Sequence, residues 1–240
     1  MSTACATSNA QRAALLARIH RRHATVTRPL QIGPLTLDFT RVANPDEVLV
    51  HMEEETTASG SADPRWQPYW AEAWESAFAI ARILAHEELA GLHVLDLGCG
   101  LGLPGTVAAA RGARVLLADA AQPALLFARL NAWPWRARAR VRRLDWRRDR
   151  LPGERFHVIV GADILYQRED WSYLEPFWRA QLEPQGRLLL GEPGRGISAG
   201  FSDWLAARGW QVTCRPLADT VRSKPILLIE ATRGQAGCFL

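Results

Sequence analysis

The chain has 240 residues, 29 Lys or Arg against 25 Asp or Glu, and is 48% hydrophobic and 8% aromatic. That is enough for the core of one α/β domain with an N-terminal extension, and no apolar run is long enough to span a bilayer. The four cysteines (Cys5, Cys99, Cys214, Cys238) form no C-x-x-C pair and no ligand spacing, which argues against a disulfide framework or a zinc site and for a reducing compartment.

The formal charge of +4 rests almost wholly on arginine, with Lys224 the only lysine, and reads as codon usage of a GC-rich genome. Residues 9–23 form a helix carrying Arg12, Arg18, Arg21 and Arg22, with no acid before Asp38. A mitochondrial transit peptide has the same look, but a basic helix on a cytoplasmic bacterial protein is the favoured reading. Two strand-like runs follow, Leu35–Phe39 and Val48–Val50, broken by Asn44-Pro45. The polar stretch Thr56–Pro68 separates this extension, residues 1–67, from a core domain at 68–240. A helix is expected over Trp74–Leu84. Beyond it, strands at 93–97, 114–118, 140–144, 156–161, 187–191, 210–214 and 225–231 alternate with helices at 104–111, 123–132, 170–182 and 198–208. Such alternation forces parallel pairing, because each crossover helix returns the chain to the same edge. The last two strands lack a helix between them and form an antiparallel hairpin. The expected fold is therefore α/β: a Rossmann-like, doubly wound seven-stranded sheet, six strands parallel and one antiparallel, with an N-terminal helix and a small β extension.

Ligands of such sheets bind at the carboxyl ends of the strands. The first core strand runs through Asp96 into Gly98-Cys-Gly-Leu-Gly102, where Gly98, Gly100 and Gly102 allow a tight turn and close approach of a ligand. Twenty-one residues after Gly98 the next strand ends in Asp119, placed to grip a ribose diol. The dinucleotide fingerprint G-x-G-x-x-G requires glycine at 103, which is leucine here, and Asp96 would repel a pyrophosphate. A nucleoside cofactor with no phosphate and a cationic amino-acid tail suits the loop better, and S-adenosylmethionine has both properties. The third strand ends in Leu144-Asp145-Trp146, a carboxylate for an adenine amino group and an indole for the ring. The fourth ends in Ala162-Asp163-Ile-Leu-Tyr166 and the fifth in Gly191-Glu-Pro-Gly-Arg195. Any one of these acids alone is as well explained as a helix cap; four at consecutive strand ends are not.

Residues Pro68 to about Trp210 resemble the seven-β-strand S-adenosylmethionine-dependent methyltransferases, and within them the protein-lysine branch with a D-x-x-Y motif, which Asp163-Ile-Leu-Tyr166 fits. Pro68-Tyr-Trp-Ala-Glu-Ala-Trp74, Arg129-Leu-Asn131 and the turn at 191–195 resemble the electron-transfer-flavoprotein β-subunit lysine methyltransferases and their nicotinamide N-methylase-like bacterial relatives. Glu75-Ser76 and Ala120-Ala121 depart from that pattern. The resemblance implies Asp163 and Tyr166 as catalytic residues. It implies Trp74, Asp96, Gly98, Gly100, Gly102, Asp119, Asp145, Trp146 and Ala162 as the holders of S-adenosylmethionine, with no metal. The expected activity is methylation of lysine ε-amines on a protein partner, electron transfer flavoprotein β among them, through a narrow slot between Tyr166, Glu192 and the Trp70/Trp74 segment. The alternative is N-methylation of a small nicotinamide-like heterocycle or amine. Trp178, Trp204 and Trp210 read as packing residues. The arginines between Arg136 and Arg155 alternate with Ala137, Ala139 and Val141 as on a half-exposed strand. They read as a solvated edge or a docking face for an acidic protein, in preference to a nucleic-acid surface.

Overall fold

The computed structural model describes residues 3–50, 68–194, 196–217 and 225–234. Helix α1 (Thr3–His20) leads into a hairpin of β1 (Thr25–Ile32) and β2 (Leu35–Val42), paired from Thr25↔Val42 to Ile32↔Leu35. Helix α2 (Glu75–Leu84) precedes the alternating core: β3 (His93–Leu97), α3 (Leu103–Ala110), β4 (Arg114–Asp119), α4 (Gln122–Asn131), β5 (Ala139–Arg143), β6 (Phe156–Ala162), α5 (Trp171–Gln181), β7 (Leu182–Glu192), α6 (Phe201–Ala206), β8 (Trp210–Leu217) and β9 (Ile226–Arg233). The sheet order is β5-β4-β3-β6-β7-β9-β8. Only β9 runs against the other six strands, so the expected sheet and its terminal antiparallel pair are both present.

Successive residues of the central strands serve opposite faces, as the two-residue period of a strand requires. Val94, Val115 and Leu117 join a core with α2, α3 and α4, while Leu95, Leu116 and Ala118 join a second with α5 and α6. Both faces are covered, which is why these strands read as continuous apolar runs. Trp178 and Trp210 are buried in the second core, and Trp204 packs on Phe201 and Trp171 beside it. Leu15 and Ile19 of α1 and Ile32, Leu37, Phe39 and Val42 of the hairpin are buried in the first core, so the extension shares it.

Two expectations in the extension are corrected. Residues 45–50 are helical, where a strand was expected at Val48–Val50. Asn44 caps that turn, its side-chain oxygen accepting the Asp46 amide at 3.2 Å, and Pro45 suits a first helical position. Strand β1 was not foreseen, because Pro29 and its polar neighbours mask the alternation. Proline is tolerated there since β1 pairs on one side only. Most of the expected loop Thr56–Pro68 and of the segment Pro216–Lys224 lies outside the described residues.

The chain leaves β3 toward β4 on one side and returns to β6 on the other, so the switch in strand order falls between β3 and β6. A crevice opens at their carboxyl ends, where ligands of such sheets bind.

Candidate active site

The crevice is a cleft of about 870 Å³ counted to its open mouth. Its lining brings together nine of the eleven expected site residues: Trp74, Gly98, Gly100, Gly102, Asp119, Trp146, Ala162, Asp163 and Tyr166. Phe39 of the hairpin and Tyr69, Trp70 and Glu72 complete it. Two expected residues, Asp96 and Asp145, are not in that wall.

Gly98, Gly100 and Gly102 all have left-handed φ, of 65°, 50° and 79°. The space each leaves differs. A Cβ on Gly98 would fall 2.7 Å from Ile164 Cγ2, and one on Gly102 within 2.9 Å of Leu117 and Ala128. Glycine at these two positions therefore lets neighbouring protein close in. At Gly100 a Cβ would meet only the Trp70 backbone, at 3.5 Å, so here the missing side chain leaves room beside the cleft.

The glycine turn is held from three sides. Asp119 accepts the Gly100 amide through Oδ2 and the Ala121 amide through Oδ1, both at 2.8 Å. Burial raises the pKa of its carboxyl, and those amide donors oppose the shift. Asp96 lies beneath the turn, where its Oδ2 accepts the Gly105 amide of α3 at 2.8 Å and its Oδ1 has no partner. Complete burial pushes its carboxyl up to about 7, against the Gly105 hydrogen bond and with help from the Asp119 charge. Asp96 thus supports the turn without facing the cleft. The third tether is Asn131, whose amide nitrogen donates to Leu101 O and Thr40 O, each at 2.9 Å, while its oxygen accepts the Thr40 amide at 2.8 Å. Asn131 fits the family pattern, yet its partner Thr40 is ninety-one residues away and no local pattern in the sequence signals this role.

Asp163 begins a second turn, after β6. It is the only non-glycine residue with left-handed φ among the described residues, at 58°. Its amide donates to Gly191 O at 2.8 Å, and its side chain is buried in the cleft wall. A left-handed aspartate is strained, and such strain persists where the surroundings fix it, commonly at functional sites. Tyr166 closes the turn and meets Tyr69 edge to face, with ring centroids 5.7 Å apart. Trp74 Nε1 donates to Tyr69 O at 2.8 Å, which ties the aromatic segment together. Burial, then the Asp170 and Asp119 charges, push the Tyr166 phenol far above its usual range, so it stays protonated at physiological pH.

Asp145 lines an adjoining recess that shares Ala120, Trp146 and Tyr166 with the cleft. Its Oδ1 accepts the Arg147 amide at 3.0 Å, and Arg148 lies 3.8 Å from Oδ2. Glu192, expected on the slot, is not in the cleft wall; it is buried and accepts the Gly194 amide at 2.6 Å.

The charged residues on the cleft wall are Glu72, Asp119 and Asp163; no arginine or lysine is among the described residues there. A pyrophosphate would find only like charge in such a wall, whereas a sulfonium and an ammonium find opposite charge. The donor set therefore fits S-adenosylmethionine. Asp119 stands ready for a ribose and the indole of Trp146 for a base, while Gly100 leaves room at the floor.

A sequence profile of the lysine methyltransferase family matches residues 46–193. The electron transfer flavoprotein beta subunit lysine methyltransferase of Xenopus laevis is 30% identical over 177 residues, covering 70% of this chain and 69% of that protein. The protein N-lysine methyltransferase METTL21A of Danio rerio is 34% identical over 113 residues, 43% of this chain and 51% of that protein. The chain thus spans about half the length of this second relative. Among solved structures, a TehB-like SAM-dependent methyltransferase from Corynebacterium glutamicum has a TM-score of 0.52 at 22% identity, covering 79% of this chain and 100% of that one. That likeness shows a common fold. The profile takes in more than half of the chain and spans both the glycine turn and the Asp163 turn, so the chain belongs to the lysine methyltransferase family.

Proposed function

We propose that this protein transfers a methyl group from S-adenosylmethionine to the ε-amine of a lysine on a protein, with the electron transfer flavoprotein β subunit as the first candidate. The observation that carries the reading is a cleft with only acidic charge on its wall, set between a glycine turn and a left-handed aspartate. The kinship with lysine methyltransferases supports it.

S-adenosylmethionine, when bound, supplies a methyl group on a sulfonium and a neutral thioether leaving group. Asp119 would hold the ribose, Trp146 and Asp145 the base, and Gly98, Gly100 and Gly102 the floor. What remains for the chain is to present a neutral amine in line, at about 3 Å. A lysine has an ordinary pKa of about 10.4, and desolvation lowers it. Tyr69, Trp70, Trp74 and Tyr166 make an aromatic entrance that strips water from the side chain. Asp163 orients the amine and accepts its proton. Tyr166 remains a phenol, so it positions through hydrogen bonding and does not act as a base.

Incubating the protein with labelled S-adenosylmethionine and the proteome of a strain lacking it tests the reading. Label in a protein band is expected. Label confined to small molecules would replace this reading with N-methylation of a heterocycle or amine.

A further inference from the structure

We infer that a groove beside the cleft, lined by Arg18, Arg21, Arg22 and His23 of the N-terminal segment and by Gln122 and Pro123 of α4, docks an acidic segment of the protein substrate. The inference rests on the lysine methyltransferase reading and adds the chemistry by which the partner is recognised.

The groove has a volume of about 650 Å³ counted to its open mouth. Three exposed arginines line it, and no ion pair to a carboxylate is found for any of them among the described residues. Basic residues past the end of α1 favour the negative end of that helix, but this does not require them to gather around a groove. The rest of the lining is the start of α4, which carries no acid in its first turn. An extended acidic chain is the complement of such a trough.

Position connects the groove to catalysis. Ala121 lines the cleft and the next residue, Gln122, lines the groove. On the other side His23 meets Trp70 edge to face, with centroids 5.4 Å apart, and Trp70 is a wall of the cleft. The groove thus adjoins the cleft, within reach of the residues that flank a lysine held there.

The arginine-rich edge at β5 is the competing surface. Its charge is already partly answered. Arg140 and Arg142 pair with Glu154 at 2.6 and 3.9 Å, Arg148 with Asp145, and Arg143 donates to Ala120 O. The groove arginines have no such neighbours among the described residues, and their groove adjoins the cleft through Gln122 and His23.

The test uses the full chain and fluorescence anisotropy of a labelled peptide holding one lysine among glutamates. Arg18→Glu/Arg21→Glu/Arg22→Glu is expected to weaken binding roughly tenfold or more, and Arg18→Gln/Arg21→Gln/Arg22→Gln by a smaller factor. The β5 triple Arg138→Glu/Arg140→Glu/Arg142→Glu makes the same change in net charge and should stay within about two-fold of the parent, since rim charges act locally once salt screens them. S-adenosylhomocysteine binding and melting temperature should be unchanged in the groove variants. Equal losses in the two glutamate triples would overturn the inference by reducing it to net charge, and an unaffected groove triple would overturn it outright. Tighter binding of a single-stranded oligonucleotide through the same arginines would assign the groove to nucleic acid instead. Binding is read without turnover, so absence of lysine methylation would refute the activity while leaving the docking result to stand or fall on its own.

Discussion

Two turns at neighbouring strand ends line the cleft, and they solve the same backbone problem differently. After β3 the left-handed positions are glycines, and the turn is held by hydrogen bonds from Asp119, Asp96 and Asn131. After β6 the left-handed position is Asp163, which keeps a carboxylate where glycine would be easier. The first turn gives up side chains so that Ile164, Leu117 and Ala128 can close on it and, at Gly100, so that room is left beside the cleft. The second accepts strain so that one side chain points into the cleft. In the proposed function the first turn holds the cofactor and the second reacts, and Ile164 packing over Gly98 joins the two.

The sharpest break of that comparison is at Asp163. Asp163→Ala and Asp163→Gly should each lower turnover by about 10²–10⁴-fold, as for loss of a group that handles a proton. Affinity for S-adenosylhomocysteine, read by calorimetry, should stay within a few-fold. The glycine variant should be more stable than the alanine variant by about 1 kcal/mol, because alanine retains the left-handed penalty. Recovery of activity at saturating cofactor would make Asp163 a binding residue.

Asn131→Ala tests the other turn through stability. It strands the buried Thr40 amide and two carbonyls, a loss of about 2–4 kcal/mol in chemical denaturation. Cofactor affinity should fall with it, since Leu101 loses its tether. A fully stable variant would show that the hairpin and the glycine turn are not coupled through this side chain.

These two residues mark what was legible in the sequence. The strand ends were readable because apolar runs, glycines and acids recur there in a fixed order, and Asp163 fell at one of them. Its left-handed backbone was not readable, because aspartate is common in ordinary turns as well. Asn131 contacts Thr40, ninety-one residues away, and no local pattern reports such a partner. Asp96 was read as facing the ligand from its place before the glycines, but the alternation of β3 turns it under the loop toward Gly105. The hairpin was half seen: β2 alternates cleanly, whereas β1 is interrupted by Pro29.

Asp119→Ala should weaken S-adenosylhomocysteine by roughly 1–3 kcal/mol, the loss of a charged acceptor for ribose hydroxyls, with a smaller effect on turnover at saturation. Tight NADH binding by the parent protein, with no response to S-adenosylhomocysteine, would return the cleft to dinucleotides.

The smallest effect is the pH dependence from Asp96. Its folded pKa, about 7, lies above its ordinary 3.8, so the native state holds the proton more tightly than the unfolded chain does. Its contribution to stability is therefore complete below about pH 4 and declines as pH rises toward 7. Asp96→Asn cannot ionise. The melting temperature of the asparagine variant relative to the parent should rise across that window, and a constant difference would place the Asp96 pKa outside it.

The central claim is that this cleft methylates a protein lysine and that the Asp163 turn performs the step. Mass spectrometry of purified electron transfer flavoprotein β, after incubation with S-adenosylmethionine and either the parent protein or Asp163→Ala, tests it most directly. The account predicts increments of about 14 Da on lysine, one CH₂ each, with the parent and none with the variant. Unmodified lysine with both, alongside methylation of nicotinamide or a related amine by the parent, would contradict it.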